Sequence, residues 1–400
     1  MTSPRSVSGA PPQGANASGP VAPDPRRLLA GRGWTGVLVA VLVMAVLVPL
    51  LNLAVAPDSV FHLSDFYVSL LGKILCYAIC ALAMDLIWGY TGILSLGHGL
   101  FFALGGYAMG MYLMRQIGSD GQYKAAMPDF MVFLNWKEYP WHWAVSDSFV
   151  AQMIFVIVVP GLLAFVFGFF AFRSRIKGVY FSIITQALTF AAMLLFFRNE
   201  TGFGGNNGFT DFKRILGHPI TTPGMRVLLC VVSGLVLIGF FVMARAIVQS
   251  KFGRVLQAIR DAETRVMFSG YNPVTYKLSI WTLSAMMCGV AGALYVPQVG
   301  IINPGEMSPA ASIEIAIWAA VGGRATLIGP IAGAFFVNGA KSWFTVAFPE
   351  FWLFFLGALF IGVTLFLPNG LIGLLRRAGG LTELLRRPGG LIGRLRRRKS

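Results

Sequence analysis

Charged side chains inside apolar runs are the first residues of this sequence that could do chemistry. Lys73, Asp85, Glu314 and Lys341 each fall within a stretch that is otherwise apolar enough to cross a membrane. Because a charge is unfavourable inside a lipid bilayer, such residues are functional candidates by default. Structural alternatives stay open: Lys73 could pair with Asp85 or extend to the membrane surface, and Glu314 could mark the outer membrane boundary.

No catalytic motif accompanies these charges. The sequence lacks HExxH and GxSxG motifs and plausible paired carboxylates. It also lacks a phosphate-binding GxxxxGK(S/T) loop, and the nearest stretch, Gly339–Ser342, is GAKS inside an apolar run. The four cysteines show no CxxC or Cys/His spacing, which gives little support to a disulfide or a zinc site. We therefore expect no enzyme and no cofactor or metal bound by this chain; any ATP that energises it must be hydrolysed by partner subunits.

Two further polar motifs are candidates for a solute pathway. His98 stands in the glycine-rich SLGHG stretch, where it could either make an interhelical hydrogen bond or line the pathway. Asn206, Asn207, Thr210 and Asp211 belong to the loop GFGGNNGFTDF. Glycine and asparagine favour a structured turn, which is the structural alternative. In the functional interpretation, these amides and the carboxylate lie at an entrance and meet a small hydrogen-bonding solute or a partner protein.

Composition identifies the elements that must position these residues. The chain has 400 residues, of which 56% are hydrophobic and 12% charged, with a mean hydropathy of +0.70. Because a spanning helix needs about 20 apolar residues, this composition predicts an all-α integral membrane protein. The eighth of about ten predicted spans is short and contains Glu314. The spans cover residues 35–56, 66–88, 93–114, 150–172, 179–197, 226–248, 277–301, 310–323, 325–345 and 351–368.

Positive charge predicts the orientation of these spans. With the N-terminus inside, most of the 32 Lys and Arg fall in cytoplasmic segments, as the positive-inside rule requires, and ten spans return the C-terminus to the cytoplasm. We predict a disordered cytoplasmic leader at 1–34, a transmembrane domain at 35–370 and a basic cytoplasmic tail at 371–400. The arginine-rich tail is expected to contact anionic membrane lipid. Nucleic acid is not an expected partner, because no aromatic residues alternate with the arginines.

One long polar segment, residues 249–276, separates two apolar runs and has helical periodicity. Its apolar residues recur at three- and four-residue intervals, and Asp261 precedes Arg265 by four residues, the order that favours an ion pair. The segment is therefore predicted to form a short amphipathic helix on the cytoplasmic face. It could lie in the lipid interface or be presented to a partner protein. The apolar stripe comprises Val255, Ala258, Ile259, Ala262 and Val266.

Four stretches of the sequence resemble the permease subunits of branched-chain amino acid ABC importers. They are GRVLQAIRDAE followed by YKLSIWTLSAMMCGVAGALY, GYTGILSLGHGLFFALGGYAMG, IEIAIWAAVGGRATLIGPIAGA and LPNGLIGLL. Together they extend from about residue 60 to about residue 375. Within that family, TGFGGNNGFTDF is similar to the second permease subunit of the urea-importing branch.

The resemblance implies a transmembrane subunit that forms half of a translocation pathway in a bacterial plasma (inner) membrane. Its implied partners are a second homologous permease, two cytoplasmic ABC ATPases and an extracytoplasmic substrate-binding protein. Urea or a short-chain amide is the expected cargo, with a branched-chain amino acid as the alternative; a stand-alone passive channel is favoured less. The resemblance assigns ATPase coupling to Gly253, Arg254, Ala258, Ile259, Arg260, Asp261 and Glu263.

Overall fold

The structure is a computed structural model that describes residues 32–176, 178–351, 354–355, 357–359, 361–362 and 370–373. The predicted leader lies almost wholly outside the described residues, as does the predicted basic tail. Most of the tenth predicted span, 351–368, also lies outside them.

The described chain is built almost entirely of helices. Within it, six helical segments are long and apolar enough to cross a membrane, which agrees with the predicted all-α membrane fold. The helices are α1 Arg32–Leu42, α2 Asp65–Thr91, α3 His98–Arg115, α4 Asp129–Phe133, α5 Phe149–Arg173, α6 Val179–Phe196, α7 Pro223–Gln249, α8 Lys251–Phe268, α9 Pro273–Val299, α10 Pro309–Gly322 and α11 Ile328–Ala347. The first of the six apolar segments, Thr35–Ala54, comprises most of α1 and the π-helical turns that follow it. The short strands are β1 Phe209–Thr210, β2 Arg214–Ile215, β3 His218–Pro219 and β4 Ile301–Ile302.

Helix α9 lies at the centre of the bundle. Glycines let its backbone approach that of α3 closely. A Cβ added at Gly292 would lie 1.8 Å from the Phe102 carbonyl oxygen, and one added at Gly105 would lie 2.0 Å from the Gly289 carbonyl oxygen. Small residues at such crossings are the usual means of close packing between membrane helices. Helices α2, α3 and α5 surround α9 and bury most of its side chains.

The chain between α2 and α3 is not helical, so α3 begins later than the sequence predicts. Side chains of α6 supply hydrogen bonds to this segment, residues 92–97. The Leu96 amide donates to Thr185 Oγ1 at 3.1 Å, and Ser182 Oγ donates to the Leu94 carbonyl oxygen at 2.7 Å. Irregular backbone within a membrane bundle requires such partners, because lipid offers none. The predicted span 93–114 is therefore a shorter helix preceded by an extended segment.

Helices α10 and α11 form an antiparallel pair joined by a strained turn. The 14 residues of α10 extend over about 21 Å, less than the hydrocarbon thickness of about 30 Å. In the turn, Ala325 and Leu327 have φ values of 58° and 60°. The buried Asp85 carboxylate accepts their amide hydrogens at 2.6 and 3.0 Å. Asp85 thus stabilises this turn, and its hypothetical pairing with Lys73 is wrong.

The two ends of the bundle differ in structure. At one end, β1 and β4 form an antiparallel pair in which Phe209 lies opposite Ile302; we name this the strand end. At the other end α8 connects the last turn of α7 to the first turn of α9; we name this the α8 end. The predicted amphipathic segment and the GGNNG loop therefore lie at opposite ends of the molecule.

Candidate functional site

Helix α8 forms where the sequence predicts an amphipathic helix, but it is longer than expected and kinked. The Ser250 hydroxyl caps it by accepting the Gly253 amide hydrogen at 3.3 Å. Ala262, with φ of −157° and ψ of 70°, interrupts the helical backbone. The predicted pairing of Asp261 with Arg265 is therefore wrong, because the kink removes the four-residue register. Asp261 instead accepts a hydrogen bond from the adjacent Arg260 at 2.9 Å.

One face of α8 is fixed to the bundle. Gly253 is buried, and a Cβ there would lie 2.4 Å from the Val248 carbonyl oxygen of α7. Ile259 is buried as well, as predicted from the apolar stripe. The buried residues of α8 are Gly253, Leu256, Ile259 and Val266, whereas Ala258, which the sequence placed in the stripe, is exposed.

Two polar contacts tie α8 to its neighbours. Arg260 Nη1 donates to the Gly89 carbonyl oxygen near the end of α2, at 2.8 Å. Glu263 accepts from Lys277 in the first turn of α9, at 2.5 Å, and only 9% of the Lys277 side chain is exposed. Of the seven predicted coupling residues, Gly253, Ile259, Arg260 and Glu263 therefore hold α8 in place.

The remaining three predicted coupling residues form an outward face. Arg254, Ala258 and Asp261 are exposed and lie four and three residues apart, so they share one side of α8. Beyond the kink, Phe268 is 89% exposed, which adds an apolar group at the same end. An exposed small residue between charges, followed by an exposed aromatic ring, is suited to contact with another protein.

A continuous set of contacts leads from α8 to the turn between α10 and α11. Arg260 binds the Gly89 carbonyl oxygen, and Asp85, one helical turn earlier on α2, holds the turn amides. In that turn, the Arg324 guanidinium lies 4.6 Å from the centre of the Trp88 ring. The turn is thus connected to α8 through a single stretch of α2.

His98 is fully buried and both of its ring nitrogens have partners. Nε2 lies 2.5 Å from Ser284 Oγ on α9, and Nδ1 lies 3.2 Å from Ser95 Oγ. The ring also packs edge-on against Trp281. These contacts favour the interhelical hydrogen bond over a pathway lining, and His98 does not meet the other pathway candidates.

The GGNNG loop is a structured turn at the strand end. Asn206 and Asn207 are exposed, and the exposed Asp211 pairs with Lys213 at 2.6 Å. Gly208 has φ of 64°, and a Cβ there would lie 2.0 Å from the Ile302 carbonyl oxygen. Gly208 is thus required by the close approach to β4, and Thr210 belongs to the paired strand β1. This geometry favours the structural alternative for the loop.

A cluster of charged and phenolic side chains, which we name the polar chamber, lies between α2, α9, α10 and α11. Glu314 pairs here with Lys341 at 3.0 Å. Glu306 is a chamber residue that the sequence does not single out, because a residue directly after Pro304 and Gly305 indicates a loop. Its position just beyond a span is the one signal that could have identified it. The chamber comprises Lys73, Tyr77, Tyr295, Glu306, Glu314 and Lys341.

The family profile "Branched-chain amino acid transport system / permease component" matches residues 66–364. The "High-affinity branched-chain amino acid transport system permease protein LivM" of Escherichia coli (strain K12) is 24% identical over 353 residues, covering 82% of this chain and 75% of the relative. The "Autoinducer 2 import system permease protein LsrC" of Enterobacter sp. (strain 638) is 26% identical over 238 residues, covering 58% of this chain and 65% of the relative.

A third relative, from Methanocaldococcus jannaschii, is a "Probable branched-chain amino acid transport permease protein LivM", 25% identical over 239 residues, covering 55% of this chain and 64% of the relative. No solved structure matches the chain. The family match covers most of the helical bundle, from the start of α2 to beyond α11. The chain therefore belongs to the permease-component family of branched-chain amino acid transport systems.

Proposed function

We propose that this chain forms half of the translocation pathway of an ATP-driven importer of branched-chain amino acids. The importer mechanism is supported by the arrangement of α8. Its inner face is fixed to α2, α7 and α9, while Arg254, Ala258 and Asp261 face outward. A helix held in this way can transmit the movement of a docked protein to the bundle. A passive channel would have no use for such a face.

The proposed partners follow from this arrangement. Two cytoplasmic ATPase subunits hydrolyse ATP, and one of them contacts α8. A second homologous permease completes the pathway, and an extracytoplasmic binding protein delivers the cargo at the strand end. The α8 end and both termini then face the cytoplasm, with the chain in the bacterial inner membrane.

The cargo is proposed from the relatives and from the GGNNG loop. The LivM relatives are named for branched-chain amino acid transport, whereas urea and short-chain amides find no support among the comparisons. The loop that suggested urea is accounted for by the close approach of Gly208 to β4. Other relatives are named for autoinducer 2 and for fructose, so the family is compatible with more than one cargo.

The test is uptake of labelled leucine and labelled urea into liposomes that contain the complete complex and internal ATP. We expect uptake of leucine only, dependent on ATP and on the binding protein. Ala258→Glu, which places a carboxylate on the outward face of α8, should abolish leucine uptake without reducing the amount of chain in the membrane. Ala258→Ser is the matched control and should retain uptake.

Each part of the proposal can fail separately. Leucine uptake without ATP would contradict the importer mechanism, and uptake of urea instead of leucine would contradict the cargo. Wild-type uptake by the Ala258→Glu variant would contradict the role of the outward face.

A further inference from the structure

The polar chamber concentrates charge inside a bundle that is otherwise apolar. Its members come from five separate elements, so no single helix accounts for their meeting. Lys73 and Tyr77 lie on α2, Tyr295 on α9, Glu306 in the turn Pro304–Met307, Glu314 on α10 and Lys341 on α11. Ionisable residues at such a place are unfavourable unless they are paired or used.

Two of the four charges in the chamber pair with each other and two do not. Lys341 Nζ contacts both Glu314 oxygens, at 3.0 and 3.1 Å. Among the described residues, Lys73 forms no ion pair within 4.0 Å. Its ammonium lies 5.7 Å and 6.0 Å from the centres of the Tyr77 and Tyr295 rings. Glu306 accepts a phenolic hydrogen bond from Tyr295 at 3.1 Å, its one side-chain hydrogen bond within the part of the chain that the structure describes.

Lys73 and Glu306 form no ion pair within 4.0 Å, and Tyr295 lies near both of them. The Tyr77 and Tyr295 hydroxyls lie 3.4 Å from each other, and the second of them binds Glu306. The chamber therefore offers one cation and one anion at separate positions. A ligand that carries both charges would satisfy Lys73 and Glu306 at once.

A small cavity adjoins Glu306, and Trp318, one of the residues that line it, carries a hydrogen-bond donor that has no partner among the described residues. Glu306, Glu314 and Tyr77 line it together with the apolar side chains of Phe102 and Ile315. The Trp318 ring also lines the cavity; Trp318 is 3% exposed, and its Nε1 has no acceptor among the described residues. A buried donor left unpaired is unfavourable unless a ligand or water accepts from it.

From these contacts we propose that the polar chamber is a transient binding site for a zwitterionic α-amino acid on its way through the membrane. The ammonium group binds Glu306, the carboxylate binds Lys73 and the Trp318 N–H, and the aliphatic side chain packs against Phe102 and Ile315. This assignment rests on the proposed function and deepens it.

The chamber must widen to admit such a ligand. The cavity beside Glu306 has a volume of about 30 Å³, which is enough for a water molecule but not for an amino acid, and Lys73 does not line it. The side chains of Glu314 and Lys341 are 21% and 34% exposed, so their ion pair is only partly buried. Separation of α10 from α11 at this pair would open the site.

The charges also discriminate between kinds of cargo. A neutral solute such as urea or a sugar could accept a hydrogen bond from Lys73 and donate one to Glu306, but it carries no charge. Both charges would then stay uncompensated in a medium of low dielectric. A zwitterion compensates both. The separate positive and negative charges of the chamber are therefore expected of a pathway for amino acids.

The test uses the complete complex in liposomes with internal ATP, binding protein outside and labelled leucine as the probe. Lys73→Met and Glu306→Gln remove one charge each with little change in shape. We expect each to lower the rate of leucine uptake at least tenfold, with unchanged amounts of assembled complex and unchanged ATP hydrolysis in the absence of leucine. The matched controls Lys137→Met and Asp58→Asn alter exposed residues and should retain uptake.

A second variant decides the matter if those two fail to assemble. Trp318→Phe keeps an aromatic ring and removes an N–H that has no partner, so it should not disturb assembly. We expect it to lower the rate of leucine uptake several-fold.

The outcomes separate the chamber from the proposed function. If wild-type complex transports leucine and Lys73→Met and Glu306→Gln transport it equally well, the chamber is not the binding site. An unchanged rate in Trp318→Phe, where the other two do not assemble, overturns it in the same way. If wild-type complex transports no leucine, the proposed function itself fails.

Discussion

The α8 end and the polar chamber both bring lysine or arginine against acidic side chains, but they treat charge differently. At the α8 end, Lys277 pairs with Glu263 at 2.5 Å, and Arg260 donates to a backbone carbonyl oxygen at 2.8 Å. In the chamber, no acidic group of the described residues lies within 4.0 Å of the Lys73 ammonium, which faces the Tyr77 and Tyr295 rings, and Glu306 accepts a hydrogen bond from Tyr295. The first region uses its charges to hold helices together.

The difference shows how to separate structural from functional charge in a membrane bundle. A charge with a close partner of opposite sign or a backbone acceptor contributes to the fold, and its removal leaves that partner unsatisfied. A charge that the fold leaves open contributes little to stability. The substitutions below test that distinction, from the largest expected effect on stability to the smallest.

Glu263→Gln should be the most destabilising of these changes. It leaves the Lys277 ammonium nearly buried without a counter-charge, and loss of one partner of a buried pair lowers the free energy of unfolding by about 3–5 kcal/mol. Thermal unfolding of the purified chain in detergent would measure this. Glu263→Gln combined with Lys277→Met should recover most of the loss; no recovery would mean that the pair does not account for the effect.

Asp85→Asn should have an intermediate effect. An amide offers one acceptor oxygen where the carboxylate offers two, so either the Ala325 or the Leu327 amide loses its partner in the strained turn. A buried unsatisfied amide lowers the free energy of unfolding by about 1–3 kcal/mol. The same unfolding measurement applies, with Asp58→Asn as the exposed control. A variant as stable as wild type would show that Asp85 does not hold this turn.

Lys73→Met should change stability far less than a change at Lys277. Because no ion pair with another described residue holds Lys73, replacing its charge with an apolar group should leave the free energy of unfolding unchanged or raise it by about 1 kcal/mol. Comparison of the unfolding temperatures of Lys73→Met and Lys277→Met would measure the difference directly. Equal destabilisation by both would remove the distinction between the two regions.

Asn206→Ala combined with Asn207→Ala should have the smallest effect. Both side chains are exposed, and exposed substitutions usually change the free energy of unfolding by less than about 0.5 kcal/mol. Leucine uptake should be retained as well. Gly208→Ala is the contrasting variant, since its Cβ would meet the Ile302 carbonyl oxygen. Loss of uptake in the asparagine variant alone would restore a transport role for the loop.

Part of the candidate site could be predicted because it depends on local spacing. The amphipathic α8 follows from apolar residues at helical intervals, and Ile259 is buried as that pattern requires. The kink at Ala262 could not be predicted, since alanine has the highest helix propensity. The exposure of Ala258, and with it the outward face of α8, also required the structure, because the apolar spacing had placed Ala258 in the stripe.

The polar chamber was only partly accessible to sequence reasoning. The sequence identifies Lys73, Glu314 and Lys341 as functional candidates, because they interrupt apolar runs. Which of them pair is decided by helices distant in sequence: Glu314 meets Lys341, Asp85 meets the turn at 325–327, and Lys73 has no ion-pair partner among the described residues. Glu306 was missed because a short turn folds it back against Tyr295.

The sequence by itself determined the membrane class, the helical character and the amphipathic segment, because hydropathy and periodicity are properties of neighbouring residues. Only the tertiary structure decided where α3 begins, which charges are compensated and which face of α8 is free. These depend on hydrogen bonds and ion pairs between distant segments, such as Thr185 with Leu96 and Lys277 with Glu263. In a bundle surrounded by lipid, each polar group must find its partner within the protein, and only the packed structure supplies those partners.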